Sequence, residues 1–393
     1  MRKFSFRRLT SLGLMLLLGV FAFFFLTNDF GLIDIQKTAI VVGVGVDRRD
    51  EGFRITAQLT VPLKSDQGQQ ISAVEVSGDG ATVGDALTAI SATTGWYPRL
   101  TFCELIVLGE QLVQNDVYAA LEYFLRNENV SDNALVAVCE GDAERFLSER
   151  TPTNDINTLA TKKVLSQEAK LAGITAPVSL REFSADYFGE ASSGYLPFIR
   201  TLEQASESQP PQSQGGQGGE DGSQSKSLFD ASATALFYQG KQVGRMRSEE
   251  TQVFCMLTNK IRMASYPTEC SGISYTLGLR RVKPSMQVKK ENDRFRFTVS
   301  LEAYAIMLDS NVSQTIREIA SSEKVDADIL SAAEQSLTDR LRALIALSRE
   351  TKCDFFGVRE SIAKKYPREA ELLGDDFLQD VLFSVRVEIK NLF

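Results

Sequence analysis

The absence of histidine restricts the chemistry that this 393-residue chain can perform. Serine–histidine and cysteine–histidine nucleophiles need an imidazole ring, and so do most zinc sites. Carboxylate pairs and serine–lysine dyads remain possible catalytic groups, but no spacing among the 51 acidic and 43 basic residues singles out a catalytic pair. We therefore predict a protein without catalytic residues, and a histidine-free hydrolase is the enzyme alternative.

The five cysteines show neither the spacing of a metal site nor that of a disulfide framework. No two of them form a CxxC pair, and an odd number cannot pair completely within one chain. The pattern favours buried free thiols. We therefore expect no metal and no cofactor. The five residues are Cys103, Cys139, Cys255, Cys270 and Cys353.

A glycine pair inside an apolar run, Gly43 and Gly45, looks like part of a nucleotide-binding loop. A dinucleotide loop needs a third glycine and must open a helix. Here the run at 39–47 continues through a turn at 50–52 into a second run of alternating apolar residues at 53–61. The pattern therefore predicts a β-hairpin whose small residues pack inside a sheet.

Charge and composition exclude two broad classes of protein. The net charge is −8 and no basic tract lies beyond the N-terminus, so the chain lacks the electrostatic footprint of a nucleic-acid-binding protein. Hydrophobic residues make up 43% of the chain, which is enough to form cores. The chain is therefore not disordered overall.

The N-terminus carries a segment suited to a membrane. Residues 9–26 contain no charge, follow a basic flank, and would span about 27 Å as a helix, close to the hydrocarbon thickness. By the positive-inside rule the flank stays in the cytoplasm and the rest of the chain lies outside. A cleaved secretion signal, the alternative, needs a small-x-small site that 23–28 does not offer. We therefore predict an uncleaved single-pass anchor. Its apolar residues include Leu9, Leu14, Leu17, Phe23 and Leu26.

After residues 1–28, the first part of the chain, 29–204, alternates predicted strands and helices. Besides the hairpin, strands at 105–108 and 134–138 flank an amphipathic helix predicted over 110–126. Asp142 is expected to cap a short helix that follows it. Such alternation predicts a mixed α/β domain.

A low-complexity segment, 205–227, separates this part from the second part, 228–393. It consists almost entirely of Ser, Gln, Gly, Pro and Glu, which cannot bury enough surface to offset their ordering entropy. We therefore predict a flexible linker between two parts that fold separately. The second part is predicted to be α+β. It would begin with a strand at 233–238, contain a hairpin that turns at 291–293 and a covering helix at 329–345, and end with a strand at 383–389.

Short motifs occur in a defined order along the first part. The apolar strand that follows the anchor ends in Gly43-x-Gly45-x-Asp47. A strand–helix–strand unit follows at 105–138, and Arg126 closes its helix. Each motif is common by itself, so the information lies in their order.

Further motifs follow in the second part. The segment at 235–244 is followed by Glu249-Glu250-Thr251, near the start of a predicted helix. An Asp-x-x-Gly signature and a Tyr-Pro pair come next, at Asp354, Gly357, Tyr366 and Pro367. This co-linear set, which spans most of the chain, resembles the Ger(x)C family, the C subunits of spore germinant receptors.

The resemblance implies a non-catalytic, multi-domain ectodomain on the outer face of the inner spore membrane. It implies as partners an A subunit and a polytopic B subunit, with signalling by assembly in germination that small nutrients start. Which germinant acts, and whether this subunit contacts it, stay open. The family's lipidated cysteine would fall near Asp29 and is absent, so we expect the anchor at 9–26 to supply the tether.

The motif residues are expected to hold the fold rather than to contact a ligand. Asp47, Arg126, Asp354 and Tyr366 suit turn, capping or buried-pair positions. The functional alternatives to a receptor subunit are a membrane-anchored scaffold of another sporulation or envelope complex and, in a different class, an extracytoplasmic hydrolase.

Overall fold

Two units make up the chain, Met1–Thr38 and Ala39–Phe393, here called the N-terminal unit and the body. The computed structural model describes residues 6–27, 38–65, 68–203, 227–258, 261–311 and 324–392. Within these ranges, the side chains of 6–12, 24–27, 38, 61–65, 68–72 and 203 are not described.

The N-terminal unit contains one described helix, α1 (Phe6–Thr27), where the apolar run predicted it. Leu14, Leu17 and Phe23 are each more than half exposed. Leu9 and Leu26 lie in the same helix, and their side chains fall outside the described residues. Among the residues described, no helix is long and apolar enough to cross a membrane, so the single-pass anchor stays a prediction.

The predicted hairpin is confirmed and lies inside a large mixed sheet. Strands β1 (Thr38–Arg49) and β2 (Gly52–Ser65) pair antiparallel, with Asp47 opposite Arg54. The other strands of this sheet are β3 (Gly68–Gly80), β4 (Tyr97–Arg99), β5 (Leu105–Gly109), β6 (Leu135–Cys139), β7 (Val178–Ser179), β8 (Ser193–Glu203), β9 (Ser227–Tyr238) and β10 (Lys241–Met246). Their order is β10-β9-β8-β6-β5-β1-β2-β3, with β4 beside β1 and β7 beside β6.

The centre of this sheet is parallel, because helices connect its strands by crossovers. Strands β1, β5, β6 and β8 run in the same direction. The helices of this lobe are α2 (Val83–Thr94), α3 (Glu110–Val113), α4 (Val117–Arg126), α5 (Ala143–Ser148), α6 (Asn157–Val164), α7 (Gln167–Leu171) and α8 (Leu180–Phe188).

The single helix predicted over 110–126 is wrong, since the structure divides it into α3 and α4. Asp116 precedes α4 with an extended backbone, and its side chain accepts the N–H of Tyr118 at 2.9 Å. Such an N-cap starts a new helix rather than continuing an old one. The apolar residues keep a helical spacing across this break, so the sequence pattern did not reveal that there are two helices.

A second lobe is built on a four-stranded sheet, in the order β11-β12-β13-β14, that helices cover. The buried residues Ile329, Leu337, Leu341 and Leu344 face its core from one long helix, as their spacing predicted. The strands are β11 (Met263–Cys270), β12 (Ile273–Glu291), β13 (Arg294–Ser310) and β14 (Leu382–Asn391). The helices are α9 (Ser248–Thr258), α10 (Ala327–Thr351), α11 (Val358–Lys365), α12 (Pro367–Ala370) and α13 (Phe377–Asp380).

The strand predicted to open the second part belongs instead to the first sheet. Within β9, Ala233 and Ala235 pair with Phe198 and Leu196 of β8. The opposite face of β9 carries Leu236 into the hydrophobic core of the second lobe. The segment 205–227 lies outside the described residues apart from its last residue, so its linker character and the separate folding of the two parts stay predictions.

Candidate functional site

Asp47 joins the end of β1 to the start of α5. The residue is 2% exposed, and its side chain accepts the N–H groups of Ala143 and Glu144 at 2.7 and 2.9 Å. Burial raises the pKa of this carboxyl, and the two N–H groups oppose that shift. Asp142, which the sequence proposed as the cap, occupies the N-cap position without a side-chain bond. The helix is therefore capped from a residue almost a hundred positions away.

Gly43 and Gly45 let helices approach the same strand closely. A Cβ atom added at Gly43 would overlap Oγ1 of Thr158 in α6. At Gly45 it would crowd Ala143 and Leu147 of α5, each about 3.0 Å away. The glycine pair thus makes room for two helices on one face of the sheet, with no phosphate-binding turn.

Asp354 caps a second helix in the same way as Asp47. It is 5% exposed, and its two carboxylate oxygens accept the N–H groups of Val358 and Arg359, each at 2.8 Å. Burial raises its pKa to about 6, while these N–H groups lower it. Gly357 precedes α11 at φ 66°, a left-handed conformation that glycine adopts without strain.

The segment before α11 ties the two lobes together. The backbone N–H of Asp354 donates to the hydroxyl of Ser193 at 3.0 Å, and the thiol of Cys353 lies 3.1 Å from the carbonyl oxygen of Phe237. Burial raises the pKa of this thiol to about 12, so it carries no thiolate at neutral pH. All five cysteines are free thiols, as predicted, although Cys270 is only half-buried.

The remaining motif residues lie elsewhere. Arg126 is exposed and forms an ion pair with Glu122 at 2.6 Å along α4, so it does not belong to a buried ion pair. The hydroxyl of Tyr366 accepts the backbone N–H of Lys290 at 3.3 Å, joining the end of α11 to β12. Pro367 occupies the first turn of α12, where its missing N–H costs nothing.

Beside the Asp354 segment lies an open cleft of about 680 Å³, to which both lobes contribute. Asp186 of α8 and Tyr195 of β8 form part of its wall from the first lobe. Met286, Phe356 and Glu360 come from the second lobe. The cleft therefore combines an apolar lining with carboxylates on its wall.

The charges of this cleft are predominantly negative. Burial, together with Glu182 and Glu360, raises the pKa of Asp186 to about 6. Burial also raises the pKa of the Tyr195 hydroxyl, which stays protonated. Lys364 supplies positive charge and pairs with Glu360 at 2.6 Å, which leaves Asp186, Glu190 and Asp354 as the other acidic residues of the lining. Such a lining attracts a cationic group that adjoins an apolar surface more strongly than it attracts an anion.

Sequence reasoning missed the cleft because its wall comes from four segments that are distant in the sequence. One local signal was present, since Glu182 and Asp186 form a like-charged i,i+4 pair on α8, an unfavourable spacing. Over the ranges that the structure describes, no group of three or more acidic or cysteine side chains is arranged to hold a metal ion.

The comparisons with known proteins agree with the order of the motifs. The family profile described as "Spore germination protein N-terminal domain" matches residues 32–201. The profile described as "Spore germination B3/ GerAC like, C-terminal" matches residues 232–391. Both describe spore germination proteins. The chain belongs to the Ger(x)C family, the GerAC-like spore germination proteins.

A solved structure has a similar fold. The crystal structure of the GerBC protein aligns with a TM-score of 0.53 and 15% identity, covering 89% of this chain and 97% of that one. At this identity the likeness concerns the fold alone. The search of curated proteins finds no match.

Proposed function

We propose that the chain is the C subunit of a spore germinant receptor and acts with an A subunit and a B subunit in nutrient-triggered germination. The observation that carries the proposal is the pair of family matches at 32–201 and 232–391, which together span most of the chain. A scaffold of another sporulation or envelope complex would share the fold and lack these two partners.

The proposed tether is the apolar helix at the N-terminus. Residues 9–26 cross the inner spore membrane or the cell membrane once, with the basic flank in the cytoplasm and the body outside. The sequence pattern supports this, since residues 9–26 carry no charge and follow a basic flank. The tether replaces the lipid anchor of the family, whose cysteine is absent before Cys103.

The proposed mode of action is assembly and signalling without catalysis. Two features support it. The buried carboxylates Asp47 and Asp354 are already occupied by backbone N–H groups, and the buried Cys353 is held as an unreactive thiol. These groups stabilise the body and leave it to act as a binding partner.

Deletion of the gene is expected to abolish the spore's response to at least one nutrient germinant. Dormant spores would be challenged with separate amino acids and sugars while the fall in optical density is recorded. A chemical trigger that bypasses nutrient receptors should act on deleted and parental spores alike. Re-introduction of the gene should restore the lost response. Parental germination rates with every nutrient would refute the receptor role.

A further inference from the structure

Exposed aromatic side chains are concentrated in one loop of the body, residues 96–102, here called the aromatic loop. Trp96, Tyr97 and Phe102 are 36%, 61% and 59% exposed. Side chains of this size are usually buried, and when several are exposed together they mark a contact surface. The loop lies between α2 and β5 and contains β4.

The aromatic loop lies at the end of the sheet where the chain enters the body. Strand β5 pairs with β1 only from Gly43 onward, and the N–H of Glu104 donates to the carbonyl of Val42. Strand β4 also pairs with β1, so it lies beside the residues that precede Val42. Ile40, which is 42% exposed, belongs to this same end.

The chain length limits how far this end can lie from the N-terminal helix. Helix α1 ends at Thr27 and the body begins at Ala39. The intervening residues, 28–38, can span about 40 Å at most when fully extended. If α1 is inserted in a bilayer, the entry end of the sheet can therefore lie no more than about 40 Å from the end of that helix.

We propose that the aromatic loop docks on the lipid interface and holds the body against the membrane. The inference rests on the proposed membrane tether and goes beyond it, because a tether alone leaves the body's orientation free. Trp and Tyr favour the interface, where their rings meet apolar chains and their polar atoms meet water. Arg99, in the middle of the loop, supplies a cation at the level of the phosphates.

Trp96 is the single tryptophan of the chain and reports directly on this contact. The full chain would be reconstituted into vesicles whose phospholipids carry bromine near the headgroup end of their acyl chains. Against unbrominated vesicles, we expect the emission of Trp96 to fall about twofold and its maximum to lie at shorter wavelength, because the indole lies at the interface. Vesicle flotation in high salt would establish that the protein is bound.

Two variants serve as controls. In the first, Trp96→Phe is combined with Leu372→Trp, which moves the tryptophan to an 86% exposed position on the second lobe and should escape quenching. In the second, Tyr97→Glu with Phe102→Glu should release Trp96 from the lipid while flotation persists. Persistent quenching in the second variant would overturn the proposal, as would equal quenching of Trp96 and the relocated tryptophan.

The outcomes separate this proposal from the tether. Flotation without quenching of Trp96 would overturn lipid docking and leave the tether standing. Loss of flotation in high salt would overturn both. If Trp96 were shielded from aqueous acrylamide but not quenched by bromine, a protein partner or a second copy would cover the loop, and lipid docking would be wrong.

Discussion

Replacement of Asp354 by alanine is expected to lower the free energy of unfolding of the body by about 3 kcal/mol near pH 5. The substitution removes the acceptor for two backbone N–H groups, each 2.8 Å from a carboxylate oxygen. Leaving such donors buried and unpaired costs about 1–3 kcal/mol each. Asp47→Ala removes the same kind of cap from α5 and should have an effect of similar size.

The stability that Asp354 contributes to the folded body is expected to depend on pH. The pKa of Asp354 rises from an ordinary 3.8 to about 6 on folding, so protons bind the folded state more tightly. Its contribution to stability is fully present below pH 3.8 and is lost as the pH rises through 6. The cost of Asp354→Ala should therefore be smaller at about pH 7.5 than near pH 5.

Thermal and denaturant unfolding of the detergent-solubilised chain, followed by circular dichroism at several pH values, would measure both effects. Asp50→Ala, in the exposed turn between β1 and β2, is the matched control and should change stability by less than about 0.5 kcal/mol. An Asp354→Ala variant as stable as this control would show that the cap contributes nothing. A cost that grew with pH would show that the folded state favours the ionised carboxylate.

Removal of residues 1–28 behind a cleavable secretion signal is expected to release the body from the membrane and to abolish nutrient germination. A tethered partner is present at an effective concentration in the millimolar range, which can strengthen assembly by about 10²–10⁴-fold without a new contact. Retention of the intact chain should survive high salt and alkaline washing. Membrane fractionation and the nutrient response of the spores are the two measurements.

An unrelated membrane-spanning helix in place of 1–28 is the control for this deletion, and it should restore both retention and germination. Intact-mass measurement of the extracted protein should find the N-terminal residues still attached and no lipid increment. A mature chain beginning near Asp29, or a diacylglyceryl mass, would contradict the proposed anchor. A released body that supported germination at the parental rate would remove the need for any tether.

Elements with strong local patterns were predictable from the sequence. The hairpin of β1 and β2, the long helix through Leu337 and Leu341, and the closing strand β14 were all placed by periodicity. Apolar periodicity identifies the face of a helix or strand that packs against the core, and this is why such elements can be predicted locally. The order of the short motifs indicated the Ger(x)C family, and the two profile matches confirm that family.

Features that depend on distant residues were not predictable. The cap of α5 comes from Asp47 instead of the adjacent Asp142, because the extended end of β1 lies against the helix start. The apolar strand β9 joins the first sheet across the low-complexity segment, and its own sequence does not say which sheet it enters. The cleft beside Asp354 combines α8, β12 and α11, so no local window contains it.

The central claim, that this chain works as the C subunit of a germinant receptor, is tested most directly by affinity capture from membranes of dormant spores. An epitope at the C-terminus of the chain, mild detergent and quantitative mass spectrometry would identify the proteins that stay bound. An unrelated single-pass membrane protein with the same epitope is the control. The account predicts that an A-type and a B-type subunit are recovered with this chain and not with the control. Recovery of the intact chain without either subunit, under conditions that preserve other membrane complexes, would contradict it.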